Sequence, residues 1–229
     1  MSAASRMVPQ AVLLDAVGTL IHPREPVADT YGRLGREFGS RLSVDQIRLR
    51  FGERFSVHFR QPGGITDEPG ERQRWFRLVC EVFTDVPHPA PLFECLWDYF
   101  ACPRSWAVFT DVPAALEYLS RRGVPASIAS NFDRRLPAVV RELPELQPID
   151  AVFCSSDVGW SKPDLRFFKE IARRLLVPPG QLAMIGDDAE LDVRAARRAG
   201  WQAAHLDRPR DQLPGLLQQL LDPLEIHGD

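Results

Sequence analysis

Four short segments of this chain carry side chains that could do chemistry. Asp15, followed by Gly18 and Thr19, offers a carboxylate that can serve as a nucleophile or a metal ligand. Ser130 and Asn131 offer a hydroxyl and turn amides able to hold an oxyanion. Lys162 stands in Ser161-Lys162-Pro163-Asp164, just before a helical pattern whose first N–H groups are free to meet an anion. The segment Gly186-Asp187-Asp188-Ala189-Glu190-Leu191-Asp192 gathers Asp187, Asp188 and Asp192 at one turn. Taken singly, each segment also reads as ordinary structure: an aspartate or serine caps a helix or shapes a turn, and a lone lysine is a surface residue. Together they supply a carboxylate, an oxyanion holder, a cation and a carboxylate cluster, a set that independent caps have no reason to assemble.

Positioning such a set is the work of a parallel sheet, where ligands sit beyond the carboxyl ends of the strands. Short apolar runs at 11–15, 126–129, 151–154, 182–185 and 202–206 read as strands. Helical patterns at 112–122, 134–143, 164–176 and 190–199 alternate with them, the signature of βαβ units. Residues 23–104 differ. They lack buried-strand runs and show amphipathic segments at 27–38, 44–59, 71–83 and 91–100, with Gln61 to Gly64 and Pro69-Gly70 as punctuation in the middle. This predicts an all-helical insert after the first strand, closing over the core through hinges at 22–26 and 102–106.

The chain has 229 residues, is 45% hydrophobic and 26% charged, and has a formal net charge of −3. That composition excludes disorder, collagen and membrane spans, and leaves no basic excess to track nucleic acid. A small-molecule partner is expected, with no nucleic acid and no membrane. The apolar run near the N-terminus is too short for a signal-peptide core, so the chain is expected to be cytoplasmic. Cys80, Cys95, Cys102 and Cys154 show no metal-site spacing and are read as buried free thiols.

With these segments in order, the sequence resembles the haloacid dehalogenase-like (HAD) hydrolase superfamily. Asp15 to Thr19, Ser130, Lys162 and Gly186 to Asp192 look like its four motifs, and the helical insert looks like its type-one cap. The stretches Ser130-Asn131-Phe132-Asp133-Arg134-Arg135-Leu136 and Gly159-Trp160-Ser161-Lys162-Pro163-Asp164 look closest to the subgroup of HAD-like hydrolase domain-containing protein 3. The resemblance implies an α/β fold, a Rossmann-like core of residues 1–22 and 105–229 with a parallel sheet, and a helical cap at 23–104. It further implies a Mg²⁺-dependent phosphohydrolase acting on a phosphate ester. Asp15 would be the nucleophile and Lys162 its catalytic partner, with Ser130 and Asn131 binding substrate. Asp15, the carbonyl of Val17 and Asp187 would hold Mg²⁺, with Asp188 and Asp192 behind them.

Val17 departs from the family's phosphatases, which carry there an aspartate that protonates the leaving oxygen and then activates water; valine can do neither. Loss of a general acid costs about 10²- to 10⁴-fold in rate, so activity is expected to be low or confined to good leaving groups. Two other readings stay open. One is a 2-haloacid dehalogenase-like enzyme, which needs no such acid but works without Mg²⁺, leaving the aspartate cluster unexplained. The other is a non-catalytic homologue. The phosphonate-cleaving branch is excluded because it needs a cap lysine, and the only lysines are Lys162 and Lys169.

Other residues carry weaker signals. His22 and Arg24 could reach the site from the hinge, and Arg134 and Arg135 could grip a substrate anion, although solvated positions are the simpler reading for all four. Trp75, Phe76, Trp97 and Tyr99 are expected to form the core of the helical insert itself.

Overall fold

β1 (Ala11–Leu14) is apolar and buried along its whole length, as a central strand of a parallel sheet covered on both faces must be. In the computed structural model, which describes residues 7–59, 65–208 and 210–222, it lies between β4 (Ala126–Ser130) and β6 (Leu182–Gly186). Leu14 stands opposite Ile128 on one side and Ile185 on the other. β5 (Ala151–Cys154) and β7 (Gln202–His205) complete a five-stranded sheet of order β5-β4-β1-β6-β7, parallel throughout. This is the expected α/β, Rossmann-like core.

Because side chains alternate along a strand, the sheet feeds two cores. Val12, Leu14, Ile128 and Ile185 pack under α5 (Val112–Arg121), α6 (Arg135–Arg141) and α10 (Leu213–Leu221), which contribute Leu116, Val139 and Leu217. Leu13, Ala129 and Met184 point the other way, toward Phe167 and Phe168 of α8 (Leu165–Leu175) and Ala196 of α9 (Ala195–Arg198).

The expected insert is helical and has its own core. α1 (Val27–Glu37), α2 (Val44–Phe59), α3 (Glu68–Val82) and α4 (Pro89–Ala101) enclose Leu34, Ile47, Leu78, Val82 and Leu96. Its two connections are not open hinges. Ile21–Pro23 (β2) and Trp106–Val108 (β3) pair antiparallel, with Pro23 opposite Trp106, and the Arg24 amide donates to the Ser105 carbonyl at 2.9 Å. α3 also fastens the insert to the core. Its buried Glu71 accepts from Thr66 Oγ1 at 2.6 Å and from Ser155 Oγ at 3.3 Å, and the Thr66 amide donates to the Gly159 carbonyl.

Several local expectations are corrected. α3 begins at Glu68, not at 71, because Asp67 caps it by accepting from the Gly70 amide, and Pro69 is tolerated in a first turn where no N–H partner is needed. The companion punctuation at Gln61 to Gly64 lies outside the described residues. The helix expected at 190–199 divides into a π-helical turn, Ala189–Arg194, and the short α9. α7 (Ser155–Val158) and α10 were not foreseen. All four cysteines are free, but only Cys154 is buried; Cys80 and Cys95 are partly covered and Cys102 is exposed. Among the described residues no helix is long and apolar enough to cross a membrane.

Candidate active site

Asp15 follows the last residue of β1, and its amide extends the ladder by donating to the Ile185 carbonyl at 2.9 Å. Its carboxylate therefore stands at the carboxyl edge of the sheet, where Lys162 meets it from the segment between α7 and α8. The Lys162 ammonium is buried and donates to Asp15 Oδ1 at 2.7 Å, to the Ala129 carbonyl at 3.0 Å and to Asp192 Oδ1. Three donors thus meet three acceptors. Desolvation works to lower the Lys162 pKa, but the two carboxylates outweigh it and hold the group above the ordinary lysine range, so it is charged.

Asn131 keeps Lys162 in place. Its Nδ2 donates to the Lys162 carbonyl at 2.8 Å, and its Oδ1 accepts from the Lys162 amide at 2.7 Å. Sequence reading assigned Asn131 only a turn amide for substrate; its side chain is a two-sided clamp on the next motif. A side-chain amide matches both groups of a peptide, but the partner 31 residues away could not be read from the spacing. Ser130 is buried at the end of β4, directly before this clamp.

The acidic segment leaves β6 at Gly186. Asp192 is buried in the π-helical turn; one oxygen accepts from Lys162 and the other from the Asp188 amide at 3.1 Å. Burial, and then repulsion by Asp15, push its carboxyl up against the pull of Lys162. A Cβ added to Gly186 would lie 2.1 Å from Asp192 Oδ2, so only glycine lets this carboxylate tuck beneath the strand end. Asp188 Oδ1 accepts from the Glu190 and Leu191 amides and caps the π-helical turn.

Asp187 is the open member of the cluster. Its surface reaches solvent, yet its carboxylate is crowded enough that desolvation, followed by the like charge on Asp15, raises its pKa. The hydroxyl of Thr19 donates to its Oδ1 at 3.3 Å. Oxygens of Asp15, Asp187 and Asp192 lie within 4.8 Å of one another. Against these three carboxylates the cluster holds one ammonium, a charge imbalance that suits a bound cation. Asp192 accepts a hydrogen bond at each oxygen, whereas Asp15 Oδ2 has none from the described residues. The turn's backbone bonds run through Ala16 O and Gly18 N and bypass the Val17 carbonyl, the third donor that the resemblance implies.

Outside this cluster the other candidates find structural partners. His22 Nδ1 lies 3.0 Å from the Pro23 carbonyl and its ring packs on Phe109. Arg134 pairs with Asp157 at 2.9 Å, and the Arg24 backbone joins the connecting ribbon. Arg135, expected at a solvated helix start, is partly buried: it binds Asp133 at 2.7 Å and lies 3.5 Å over the Trp97 ring, bracing core against insert.

Between core and insert lies a chamber of about 240 Å³. Its core side is formed by Val17, Asn131 and Leu191, one from each of three loops around Asp15, and its roof by Phe51, Phe55 and Phe59 of α2 with Trp75 of α3. Phe76, Trp97 and Tyr99 pack against the insert's own core as expected, whereas Trp75 also faces the chamber.

A sequence model of the family described as haloacid dehalogenase-like hydrolase matches residues 9–200. Haloacid dehalogenase-like hydrolase domain-containing protein 3 of Bos taurus is 29% identical over 204 residues, which is 86% of this chain and 81% of that one. Phosphoserine phosphatase of Thermus thermophilus is 31% identical over 141 residues, 60% of this chain and 55% of that one. Among solved structures, a HAD phosphatase from Thermococcus onnurineus superimposes with a TM-score of 0.60 at 26% identity, covering 88% of this chain and 87% of that one.

Proposed function

The chain belongs to the haloacid dehalogenase-like hydrolase family, and on that premise we propose that it is a Mg²⁺-dependent phosphohydrolase that cleaves a small phosphate ester through an aspartyl-phosphate at Asp15. The observation that carries the reading is the buried Lys162 ammonium shared by Asp15 and Asp192, beside an Asp187 that has no cation of its own among the described residues. Lys162 fixes Asp15 Oδ1, while Oδ2 has no hydrogen bond from the described residues and is the oxygen free to attack. As the bond from Asp15 to phosphorus forms, the phosphorus–oxygen bond to the leaving group breaks and its electron pair departs on that oxygen. The Ser130 hydroxyl and the Asn131 backbone amide hold phosphoryl oxygens. Water then cleaves the aspartyl-phosphate, releasing inorganic phosphate and restoring the carboxylate. Asp15, Asp187 and the Val17 carbonyl would hold Mg²⁺, which when bound offsets the repulsion between carboxylate and phosphate. Asp192 positions Lys162, and Asp188 holds the π-helical turn that carries Asp192.

In this reading residues 23–104 are the cap that selects substrate, and 1–22 with 105–229 are the catalytic core. The free thiols suit a reducing compartment, and we place the enzyme in the cytoplasm. A phosphatase among its relatives supports phosphate esters as the substrate class.

One observation favours a second reading, a 2-haloacid dehalogenase-like activity: Val17 borders the chamber where a general acid would stand, and halide departs without a proton. The two separate by metal dependence. Phosphate esters and 2-halo acids are each assayed with Mg²⁺ and with chelator. Phosphate release that chelator abolishes supports the phosphohydrolase; chelator-resistant halide release supports the dehalogenase. No release of either beyond an Asp15→Asn blank identifies a homologue without turnover.

A further inference from the structure

The chamber whose core side is formed by Val17, Asn131 and Leu191 is suited to a flat, apolar group. Phe55, Phe59 and Trp75 wall it from above and Val17 from below. Its lining among the described residues is mostly aromatic and aliphatic, and its polar groups are largely engaged: the Asn131 amide with the Lys162 backbone, the Arg135 guanidinium with Asp133 and the Trp97 carbonyl, and the Trp106 indole N–H with the Phe100 carbonyl. The hydroxyl of Tyr31 has no hydrogen bond among the described residues, although Tyr31 is only 2% exposed. A polyol or zwitterionic leaving group brought here would lose its water and find few partners for its polar atoms, a cost that an apolar ring avoids. A dry cavity of about 150 Å³ already accepts benzene, so about 240 Å³ takes one ring or two fused rings.

We propose that the substrate is an aryl phosphate, its ring seated in this chamber with at most one polar substituent, which Tyr31 meets. The proposal rests on the phosphohydrolase reading and names its substrate class. It also accounts for departure of the leaving group without an acid at position 17. As the bond from Asp15 to phosphorus forms, the phosphorus–oxygen bond to the ring breaks, and the aryl oxide carries the electron pair away by delocalising it. The aryl oxide takes its proton from solvent after departure, so no acid is needed at the site. The residue that a phosphatase with poor leaving groups needs as an acid is here part of the apolar wall.

Two non-hydrolysable probes test this: methylphosphonate, which fills only the phosphoryl site, and 1-naphthylmethylphosphonate, which adds the ring. Calorimetry on the full chain with Mg²⁺ should show the naphthyl compound binding about 10- to 100-fold tighter, the worth of burying one aromatic group. Phe55→Ser should cut that ratio about 10-fold, and Phe55→Leu, which keeps an apolar wall, by much less. Because each ratio is taken within one protein, loss of folded material does not imitate the result. Equal affinity for the two probes overturns the aryl assignment and leaves the phosphohydrolase standing. A preference that Phe55→Ser does not alter places the ring elsewhere and also overturns it. Binding of neither probe removes both readings together.

Discussion

Asp187 occupies the space that a side chain at position 18 would need: a Cβ built on Gly18 would lie 2.4 Å from Asp187 Oδ2. Gly18 also has a φ of +89°, in the left-handed region that favours glycine. The loop bearing Asp15 and the loop bearing Asp187 therefore fit together through bare backbone, and this close approach lets the two carboxylates share one space.

Gly18→Ala should accordingly cost about 1–3 kcal/mol of stability from backbone strain and contact and should also weaken Mg²⁺ binding. Gly39 provides the control, because it has a φ of +90° with nothing within 4 Å of an added Cβ. Gly39→Ala should show strain in a thermal melt yet keep full Mg²⁺ affinity by calorimetry. Equal metal affinity in the two variants would contradict the role given to the Gly18–Asp187 contact.

Asp187→Asn keeps the size of the side chain and removes its charge. Mg²⁺ affinity should fall by about tenfold or more, since a neutral amide is a poorer partner for this hard cation than a carboxylate. Titration calorimetry on wild type and variant reads the change, and an unaltered affinity would place the metal away from Asp187.

Lys162→Met leaves Asp15 and Asp192 crowded together without their cation. Removing one member of a buried ion group typically costs about 3–5 kcal/mol, so the melting temperature should fall and turnover should drop to the Asp15→Asn blank. Asn131→Ala should be milder. Losing its two hydrogen bonds, worth about 1–3 kcal/mol when buried partners are left unmet, should lower kcat about 10- to 100-fold. Mg²⁺ affinity should stay near wild type, because Asn131 touches Lys162 and not the acidic cluster.

Val17→Asp supplies the missing acid. It should raise kcat/KM for alkyl phosphates by up to about 10²-fold and for aryl phosphates by much less, since aryl oxides depart without protonation. Equal gains on both would point to water activation as the slow step, and no gain on either, with Mg²⁺ bound, would favour a homologue without turnover.

The strands and the four loops were legible because the signals are local. β1, β4 and β6 are short apolar runs buried on both faces, and Asp15, Ser130 and Asp187 follow or close them. The insert was legible through helical periodicity. What escaped depends on partners distant in sequence. β2 and β3 have three residues each, one of them Pro23, and are strands only because they find each other across the insert. Arg135 looked solvated because Trp97, whose ring its guanidinium covers, comes from α4, 38 residues away. The chamber was hidden for the same reason: aromatic side chains at helical spacing read as core, and only the packing of α2 and α3 over the sheet edge shows that Phe55 and Trp75 border a space.

In this reading Asp15 becomes phosphorylated during each turnover, and acid-quenched single turnover with 1-naphthyl phosphate and Mg²⁺, followed by mass spectrometry of the peptides, reads that intermediate. A phosphoryl group on the peptide containing Asp15, at a level that rises and decays with naphthol release and is absent from Asp15→Asn, is the expected result. Naphthol and phosphate released over many turnovers with no phosphoryl group on that peptide at any quench time would contradict it.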